Sequence, residues 1–278
     1  MLKMRIIPAL VAASLALPGA ALAAGGETHI EDVAFSFEGP FGAFDPLQLQ
    51  RGFQVFNEVC AACHGLKYLS FRDLTSATGP TFPEEQVKAF AENYEVFDRE
   101  LDDTRPARLS DRFPANTAAG APDLSLMAKA RAGFHGPFGL GLNQMLKGTG
   151  GPEYIYSLLT GYSGEEVEQA GTVLYENHAF PGGLISMVPP LSEGLVEYAA
   201  HAAGEGDGHG GDAGYTPPEA SVEQMAKDVS AFLMWAAEPK LVERKEAGLR
   251  NILMLIVLAV LLYYTNRRIW APLKGKDH

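Results

Sequence analysis

The amino-acid sequence predicts a mainly α-helical protein, with one folded domain that has long loops and a single transmembrane helix near its C-terminus. Three observations lead to this prediction. A signal-peptide pattern begins the chain, an apolar run lies close to its end, and two amphipathic segments lie between them. The length of 278 residues is sufficient for one such domain and an anchor.

The N-terminal segment, residues 1–24, is typical of a cleaved secretory signal peptide. Lys3 and Arg5 supply its positive start, an apolar stretch follows, and the small residues at 21–23 form a cleavage site. A membrane anchor is the alternative, but the apolar stretch is short and prolines interrupt it. We therefore expect residues 25–247 to fold outside the cytoplasm.

An apolar run at residues 252–264 indicates a membrane-spanning helix, which we predict to cover residues 248–267. The run alone could be a buried core helix, but the aromatic residues and arginines that flank it are typical of a membrane interface.

The charges at and beyond the C-terminal end of the predicted span orient it. The positive-inside rule places the tail, residues 268–278, in the cytoplasm, because four cations follow the helix: Arg267, Arg268, Lys274 and Lys276. The sequence thus predicts a single-pass protein of a bacterial inner (plasma) membrane with its folded domain in the periplasm.

The chain is acidic, with a net charge of −12 overall and a balance of −17 between residues 25 and 250. Nucleic acid is excluded as an expected partner, and a basic protein is favoured. A solvated acidic surface with no partner remains the alternative.

The stretch VCAACHGLKYLS, residues 59–70, contains the only two cysteines of the chain, Cys60 and Cys63, directly followed by His64. A disulfide here would close too short a loop to stabilise much, and zinc would need a second ligand pair. A thioredoxin-like motif needs a βαβ context that is not visible nearby. Cys-x-x-Cys-His instead indicates covalent haem c attachment, with two thiols for the porphyrin vinyl groups and an imidazole for the iron.

Two predicted helices frame this motif. Asp45 and Pro46 are typical of a helix start, and apolar residues then recur at helical spacing up to Cys60. Gly52 would permit close crossing of a second helix. The segment 221–239 supplies that helix, with Ser221 and Gln224 predicted as a capping box.

The second axial ligand separates a carrier from an enzyme, because an open iron permits chemistry. Met187 lies in GGLISMVPPL, where two prolines stiffen the loop, whereas Met145 lies in a glycine-rich stretch. A stiff loop holds a weak thioether with less loss of entropy, which favours Met187 and leaves Met145 open. The histidines at 135, 178, 201 and 209 are further candidates.

The sequence resembles the cytochrome c1 family, the haem c subunit of the cytochrome bc1 complex, in its alphaproteobacterial form. The resemblance covers nearly the whole mature chain and rests on CAACHGLKY (60–68), ANTAAGAPDLS (115–125), KARAG (129–133), GPEYIYSLLTGY (151–162), ISMVPPL (185–191) and AKDVSAFLMWAAEP (226–239). It implies a class I cytochrome c-like haem domain with long loops.

The resemblance also implies site residues. By position, Cys60 and Cys63 correspond to the thioether cysteines, His64 to the proximal ligand and Met187 to the distal ligand. The resemblance assigns Arg131 to a haem propionate and three further residues to the haem pocket: Asn116, Pro122 and Tyr154. Some relatives carry an additional cysteine pair before the distal methionine; this chain has none, so we expect residues 164–183 to hold Met187 by packing alone.

The resemblance implies a function in respiratory electron transport. The chain would not be an enzyme by itself but a component of a ubiquinol:cytochrome c oxidoreductase, with cytochrome b and the Rieske iron–sulfur protein as partners in a dimeric bc1 complex. It would receive electrons from the Rieske protein and pass them to a soluble basic cytochrome c, which the acidic stretch 84–103 would steer. Alternatives are a membrane-tethered mobile cytochrome c that donates to a terminal oxidase, a haem peroxidase and a thiol protein without haem.

Overall fold

The computed structural model describes residues 28–116, 120–133, 147–198 and 215–274. Six α-helices are seen in these ranges: α1 (Pro46–Glu58), α2 (Glu84–Ala91), α3 (Met127–Ala130), α4 (Gly151–Thr160), α5 (Val222–Ala237) and α6 (Leu241–Lys274). Five short strands accompany them: β1 (Glu95–Asp98), β2 (Asp103–Pro106), β3 (Tyr162–Gln169), β4 (Thr172–Asn177) and β5 (Leu184–Ile185). The prediction of a mainly helical chain with a C-terminal apolar helix is confirmed.

The crossing of α1 and α5 is the centre of the domain. Asp45 caps α1 as predicted, because its carboxylate accepts the Leu47 N–H at 3.0 Å. At Gly52 the two helices approach so closely that an added Cβ would lie 2.1 Å from the carbonyl oxygen of Asp228. The predicted role of this glycine in a close helix crossing is confirmed.

A buried ion pair lies beside that crossing. The Arg51 guanidinium donates to both carboxylate oxygens of Asp228, at 2.7 and 3.1 Å, and the Asp228 side chain is fully buried. Gln224 donates to the same carboxylate at 2.9 Å and does not complete the expected capping box, although Ser221 does accept its N–H. The Tyr215 hydroxyl also binds Arg51, so the ion pair joins α1, α5 and the segment before α5.

Aromatic side chains fill the core around this crossing. Phe53 of α1 packs against four other rings at centroid distances of 5.3 to 6.3 Å, namely Phe82, Phe90, Phe113 and Phe232. Trp235 of α5 is fully buried in the same cluster. The C-terminal end of α1 is therefore held against a packed core, which fixes where the chain goes next.

The two small antiparallel sheets were not predicted. β1 and β2 form a hairpin, and β3, β4 and β5 form a three-stranded sheet in that order. The second sheet turns at Ala170 and Gly171, both of which have positive φ. It corrects the expectation that packing alone holds the segment before Met187, because inter-strand hydrogen bonds organise that segment.

The C-terminal helix α6 is longer than the predicted span. It has 34 residues and begins at Leu241, which is buried in the domain core. Among the described residues, α6 is the one helix long and apolar enough to cross a membrane, and its apolar part is fully exposed. The helix therefore continues from the folded domain into its apolar segment without interruption.

The ion pair at the helix crossing yields a stability prediction. Asp228→Asn leaves the Arg51 guanidinium without its buried counter-charge, and we expect the free energy of unfolding to fall by about 3–5 kcal/mol. Urea unfolding in mild detergent, followed by circular dichroism, measures the loss.

The matched control is Asp32→Asn, which removes the carboxylate of the exposed Lys147–Asp32 ion pair. Its cost should stay below about 1 kcal/mol because solvent screens exposed pairs. Equal losses in the two variants would show that the buried pair has no special role.

Candidate functional site

The Cys-x-x-Cys-His motif lies immediately after α1. A single 3-10 turn over Cys60–Ala62 follows the helix, and the N–H groups of Cys63 and His64 both bond to the Cys60 carbonyl oxygen, at 3.1 and 2.8 Å. Neither cysteine forms a disulfide; Cys63 is exposed and Cys60 is half-buried. Burial, with Cys63 nearby, raises the pKa of the Cys60 thiol to about 12.

His64 is oriented by a backbone acceptor. Its Nδ1 lies 2.7 Å from the Pro122 carbonyl oxygen, and a carbonyl can only accept, so Nδ1 carries the proton. In the neutral ring that has this tautomer, the lone pair lies on the other nitrogen, Nε2. This is the arrangement in which histidine binds a metal, with one nitrogen hydrogen-bonded to the protein and the other free for the iron.

Asn116 also stabilises the Cys60–Ala62 turn. Its side-chain amide donates to the carbonyl oxygens of Ala61 and Ala62, at 2.9 and 3.0 Å. Gly65 lies so close to this segment that an added Cβ would be 2.5 Å from the Asn116 backbone nitrogen. The structure thus brings together Cys60, Cys63 and His64 with two of the predicted pocket residues, Asn116 and Pro122.

Two further residues hold this region, and sequence reasoning did not single them out. The Asp123 carboxylate accepts the backbone N–H groups of Lys67 and Ser125, at 3.0 and 3.1 Å. The Ser125 hydroxyl accepts the Tyr68 N–H at 3.1 Å. The signal that could have found them is the Asp-Leu-Ser order in the APDLS stretch, because Asp and Ser side chains readily bond to nearby backbone groups.

Arg131 and Tyr154 form a second group. Arg131 is exposed directly after α3, and Tyr154 is buried in α4. Burial raises the pKa of Tyr154, while the charge and hydrogen bond of Arg131 oppose that rise, which places the two polar groups side by side. Close packing at Gly151, where an added Cβ would lie 1.7 Å from the Ala128 carbonyl oxygen, joins the two helices.

Met187 is held separately from these groups. It is half-buried, two residues after β5, and its carbonyl oxygen accepts a hydrogen bond from the Tyr162 hydroxyl at 3.0 Å. Tyr162 begins β3, so the sheet and this bond together position the loop. Burial raises the pKa of Tyr162, which keeps the hydroxyl protonated as a donor. Sequence reasoning did not assign a role to Tyr162, and Met145 lies outside the described residues.

The donor set fits a covalently bound haem. The two cysteines lie three positions apart at a single turn, the adjacent histidine has its Nδ1 hydrogen-bonded to a backbone carbonyl, and a methionine lies on a loop held by Tyr162. These features, together with an exposed apolar helix, define a membrane-anchored c-type cytochrome.

Comparison with known proteins identifies the family. A model of the cytochrome C1 family matches residues 35–273. Cytochrome c1 of Cereibacter sphaeroides is 50% identical over 95% of this chain and 95% of its own length. A mitochondrial cytochrome c1 heme protein of Saccharomyces cerevisiae is 38% identical over 89% of this chain and 74% of its own length. The chain belongs to the cytochrome c1 family.

The name of a further relative mentions both cytochrome b and cytochrome c1. A protein of Bradyrhizobium diazoefficiens named cytochrome b/c1 is 39% identical over 85% of this chain, a match that covers 35% of that protein.

Glu153, next to Tyr154, is an unusual buried acid. Its side chain is 1% exposed, and its Oε2 has no hydrogen-bond partner among the described residues. Burial, with Glu38 and Asp32 nearby, raises its pKa from about 4.5 to about 7, although Lys147 opposes the rise. The carboxyl is therefore more easily ionised in the unfolded chain than in the folded one.

This acid predicts a pH-dependent stability. The contribution of Glu153 to the free energy of unfolding is fully present below about pH 4.5. It is lost as the pH rises through about 7, because ionisation then favours the unfolded chain. Glu153→Gln should stabilise the protein at pH 8 by about 1–3 kcal/mol and much less at pH 5. Thermal midpoints at both pH values measure this. Glu165→Gln, an exposed change on β3, is the control, and a gain at pH 8 no larger than at pH 5 would refute the prediction.

Proposed function

We propose that this chain is the electron-transfer subunit of a ubiquinol:cytochrome c oxidoreductase, passing electrons from a Rieske iron–sulfur protein through haem c to a soluble cytochrome c. The observation that carries the proposal is the Cys60–Cys63–His64 turn. In this turn the Pro122 carbonyl accepts from His64 Nδ1 and the Asn116 amide donates to the carbonyls of Ala61 and Ala62, which orients the imidazole next to the two cysteines. Membership of the cytochrome c1 family supports the same conclusion.

The roles of the site residues follow from their chemistry. Cys60 and Cys63 would form the thioether bonds, and His64 and Met187 would be the protein ligands of the iron. When bound, haem c would supply a group that gains and loses one electron. The Pro122 carbonyl holds the proton on Nδ1 and keeps the imidazole plane fixed. Tyr162 holds the backbone of Met187, which limits movement of the thioether.

Arg131 and Tyr154 are proposed to bind a haem propionate. Both present hydrogen-bond donors at the junction of α3 and α4, and a guanidinium suits a carboxylate because it donates two parallel hydrogen bonds. The charge of Arg131 would compensate the propionate, and Tyr154 would line the haem pocket beside it.

The domain plan is proposed as predicted from the sequence. Residues 1–24 are removed as a signal peptide, residues 25–247 form the periplasmic haem domain, residues 248–267 cross the inner membrane, and residues 268–278 face the cytoplasm. The exposed apolar surface of α6 and the cations at its C-terminal end support this orientation.

The proposed partners are those of a dimeric bc1 complex. The relative named for both cytochrome b and c1 supports cytochrome b as the membrane partner. The Rieske protein would supply electrons, and a soluble basic cytochrome c would remove them.

An acidic surface supports the soluble partner. It consists of exposed carboxylates on α2, on the segment after it and around the β1–β2 turn: Glu84, Glu85, Glu92, Glu95, Glu100, Asp102 and Asp103. Asp98, also expected there, is neutralised by Arg105 at 2.7 Å, and that hydrogen bond lowers the pKa of the carboxyl. The remaining carboxylates are free to attract a basic protein.

The ligand assignment predicts the behaviour of Met187→Leu. In the complex purified with cytochrome b and the Rieske protein, the variant should keep covalent haem and lose the methionine–iron charge-transfer band. Its midpoint potential should fall by on the order of 0.1 V or more, within the range of about 0.8 V that axial ligands span. Redox titration and reduction of the haem by quinol measure the effect.

Met234→Leu on α5 is the matched control, since it removes a thioether that packs against the core. An intact band and unchanged potential in Met187→Leu would move the ligand assignment to another residue. Recovery of the loaded chain without cytochrome b would favour the tethered mobile cytochrome that donates to a terminal oxidase.

The acidic surface predicts salt-dependent electron transfer. The second-order rate with a basic cytochrome c should fall about tenfold or more between low and physiological ionic strength, because screening removes the steering. The triple variant Glu84→Gln, Glu85→Gln and Glu92→Gln should be slower at low salt and less sensitive to salt.

The control for this surface is a second set of exposed acids on β3, changed as Glu165→Gln, Glu166→Gln and Glu168→Gln. Stopped-flow rates across a salt series compare the two variants. If the β3 variant is slowed as much as the α2 variant, the partner is not steered by the proposed surface.

A further inference from the structure

A rigid turn near the start of the domain presents one exposed phenylalanine. The turn, residues 38–42, is closed by hydrogen bonds from the Glu38 N–H to the Phe35 carbonyl oxygen, at 3.2 Å, and from the Ala43 N–H to the Ser36 carbonyl oxygen, at 3.1 Å. The Glu38 carboxylate accepts the Phe35 N–H at 2.7 Å. These bonds fix the backbone on both sides of the turn.

Four phenylalanines lie in or next to this turn, and one of them is exposed whereas the other three are buried. Phe35, Phe37 and Phe44 are buried and pack ring on ring, at centroid distances of 5.1 and 4.9 Å. Phe41, at the tip, is 79% exposed within the described part of the chain. Gly42 makes this possible, since an added Cβ there would lie 2.0 Å from the Glu38 carbonyl oxygen.

The turn is fastened to α6, the helix that enters the membrane. The Lys245 ammonium donates to the Phe37 carbonyl oxygen at 2.6 Å and to the Gly42 carbonyl oxygen at 3.2 Å. These two carbonyls lie on either side of Phe41, so the turn that contains Phe41 is bonded to the anchor helix through the Lys245 side chain. Neither Phe97 nor Leu101, the exposed apolar residues of the β1–β2 hairpin, lies on a segment bonded to α6 in this way.

The position of Lys245 sets the level of the turn. Lys245 precedes Leu249, the first strongly exposed apolar residue of the helix, by four residues, or about 6 Å along the axis. The headgroup layer on each side of a bilayer is about 5–8 Å thick, the difference between a core of about 30 Å and a membrane of about 40–45 Å. The turn that carries Phe41 is therefore bonded to α6 at a point whose axial distance from the apolar segment is comparable to the thickness of the headgroup layer.

We propose that Phe41 is a second point of membrane attachment, which inserts into the lipid interface beside α6 and fixes the tilt of the haem domain over the bilayer. An aromatic ring is a favourable group in this layer. One helix leaves a domain free to tilt about its entry point, whereas a rigid second contact removes that freedom. The proposal rests on the proposed function, because α6 must span the membrane and both readouts below use the attached haem.

A single spin label tests the proposal. Because Cys60 and Cys63 are the only cysteines, Phe41→Cys gives one reactive thiol once haem is attached. The nitroxide-labelled variant, in the whole complex reconstituted into phosphatidylcholine and phosphatidylglycerol vesicles, is exposed to oxygen, which concentrates in lipid, and to a neutral nickel chelate, which stays in water. Oxygen should relax a label at 41 severalfold more than the chelate, and Leu101→Cys should show the reverse ratio.

Two results would overturn the proposal. Strong relaxation by the chelate at position 41 would place the ring in water. Exclusion of both reagents would show that a protein surface, such as cytochrome b or a second copy of this chain, covers it. Should Phe41→Cys not mature, the label is carried at the neighbouring exposed Pro40→Cys, with the same outcomes.

A second readout addresses the tilt. In oriented membrane multilayers, linear dichroism of the haem band reports the spread of haem-plane angles. Phe41→Asp should widen that spread, and Phe41→Leu, which keeps an apolar side chain, should restore it. An unchanged spread in Phe41→Asp would show that the helix alone sets the orientation.

Discussion

The close crossing of α1 and α5 is the constraint on which the rest of the domain depends. Gly52 allows the backbones to approach until an added Cβ would meet the Asp228 carbonyl oxygen, and the Arg51–Asp228 pair neutralises the charges enclosed beside the contact. Because α1 leads directly into the Cys60 turn, the crossing sets the position of the haem-attachment motif relative to the core. A substitution at Gly52 would move the motif as well as the helices.

The helices could be predicted because their signals are local. Asp45 and Ser221 each accept a backbone N–H in the first turn of the helix that follows, and the residues that carry these signals are adjacent in sequence. The strands carry no such signal. In β3 only Tyr162 is not fully exposed, so no alternation of apolar and polar residues marks the strand. Its existence depends on pairing with β4, which the sequence does not display.

The site was predicted in part for a similar reason. Cys60, Cys63 and His64 are contiguous, so the motif is visible without a structure. Each contact that orients them has a backbone carbonyl on one side: the Pro122 carbonyl accepts from His64 across 58 positions of sequence, and the Asn116 amide donates to the carbonyls of the turn. Any residue type has a carbonyl, and therefore no spacing rule finds such contacts. The resemblance to a known family suggested Asn116 and Pro122, and the structure supplies the physical reason.

The connection between the domain and its anchor helix is short, and ion pairs hold it in place. Only three residues separate α5 from α6, and the middle one is Pro239, whose ring fixes its backbone φ angle. Glu238, the first of them, accepts from Lys129 of α3 at 3.2 Å and from Arg244 of α6, and these bonds lower its pKa although burial opposes the change. One carboxylate thus ties three helices together. A flexible linker would let the domain move relative to the helix, whereas these bonds hold the start of α6 against the domain. If the chain has the proposed function, a domain held against its anchor helix presents the same surfaces to its electron donor and its acceptor at each encounter, and less orientational freedom is lost when either one binds.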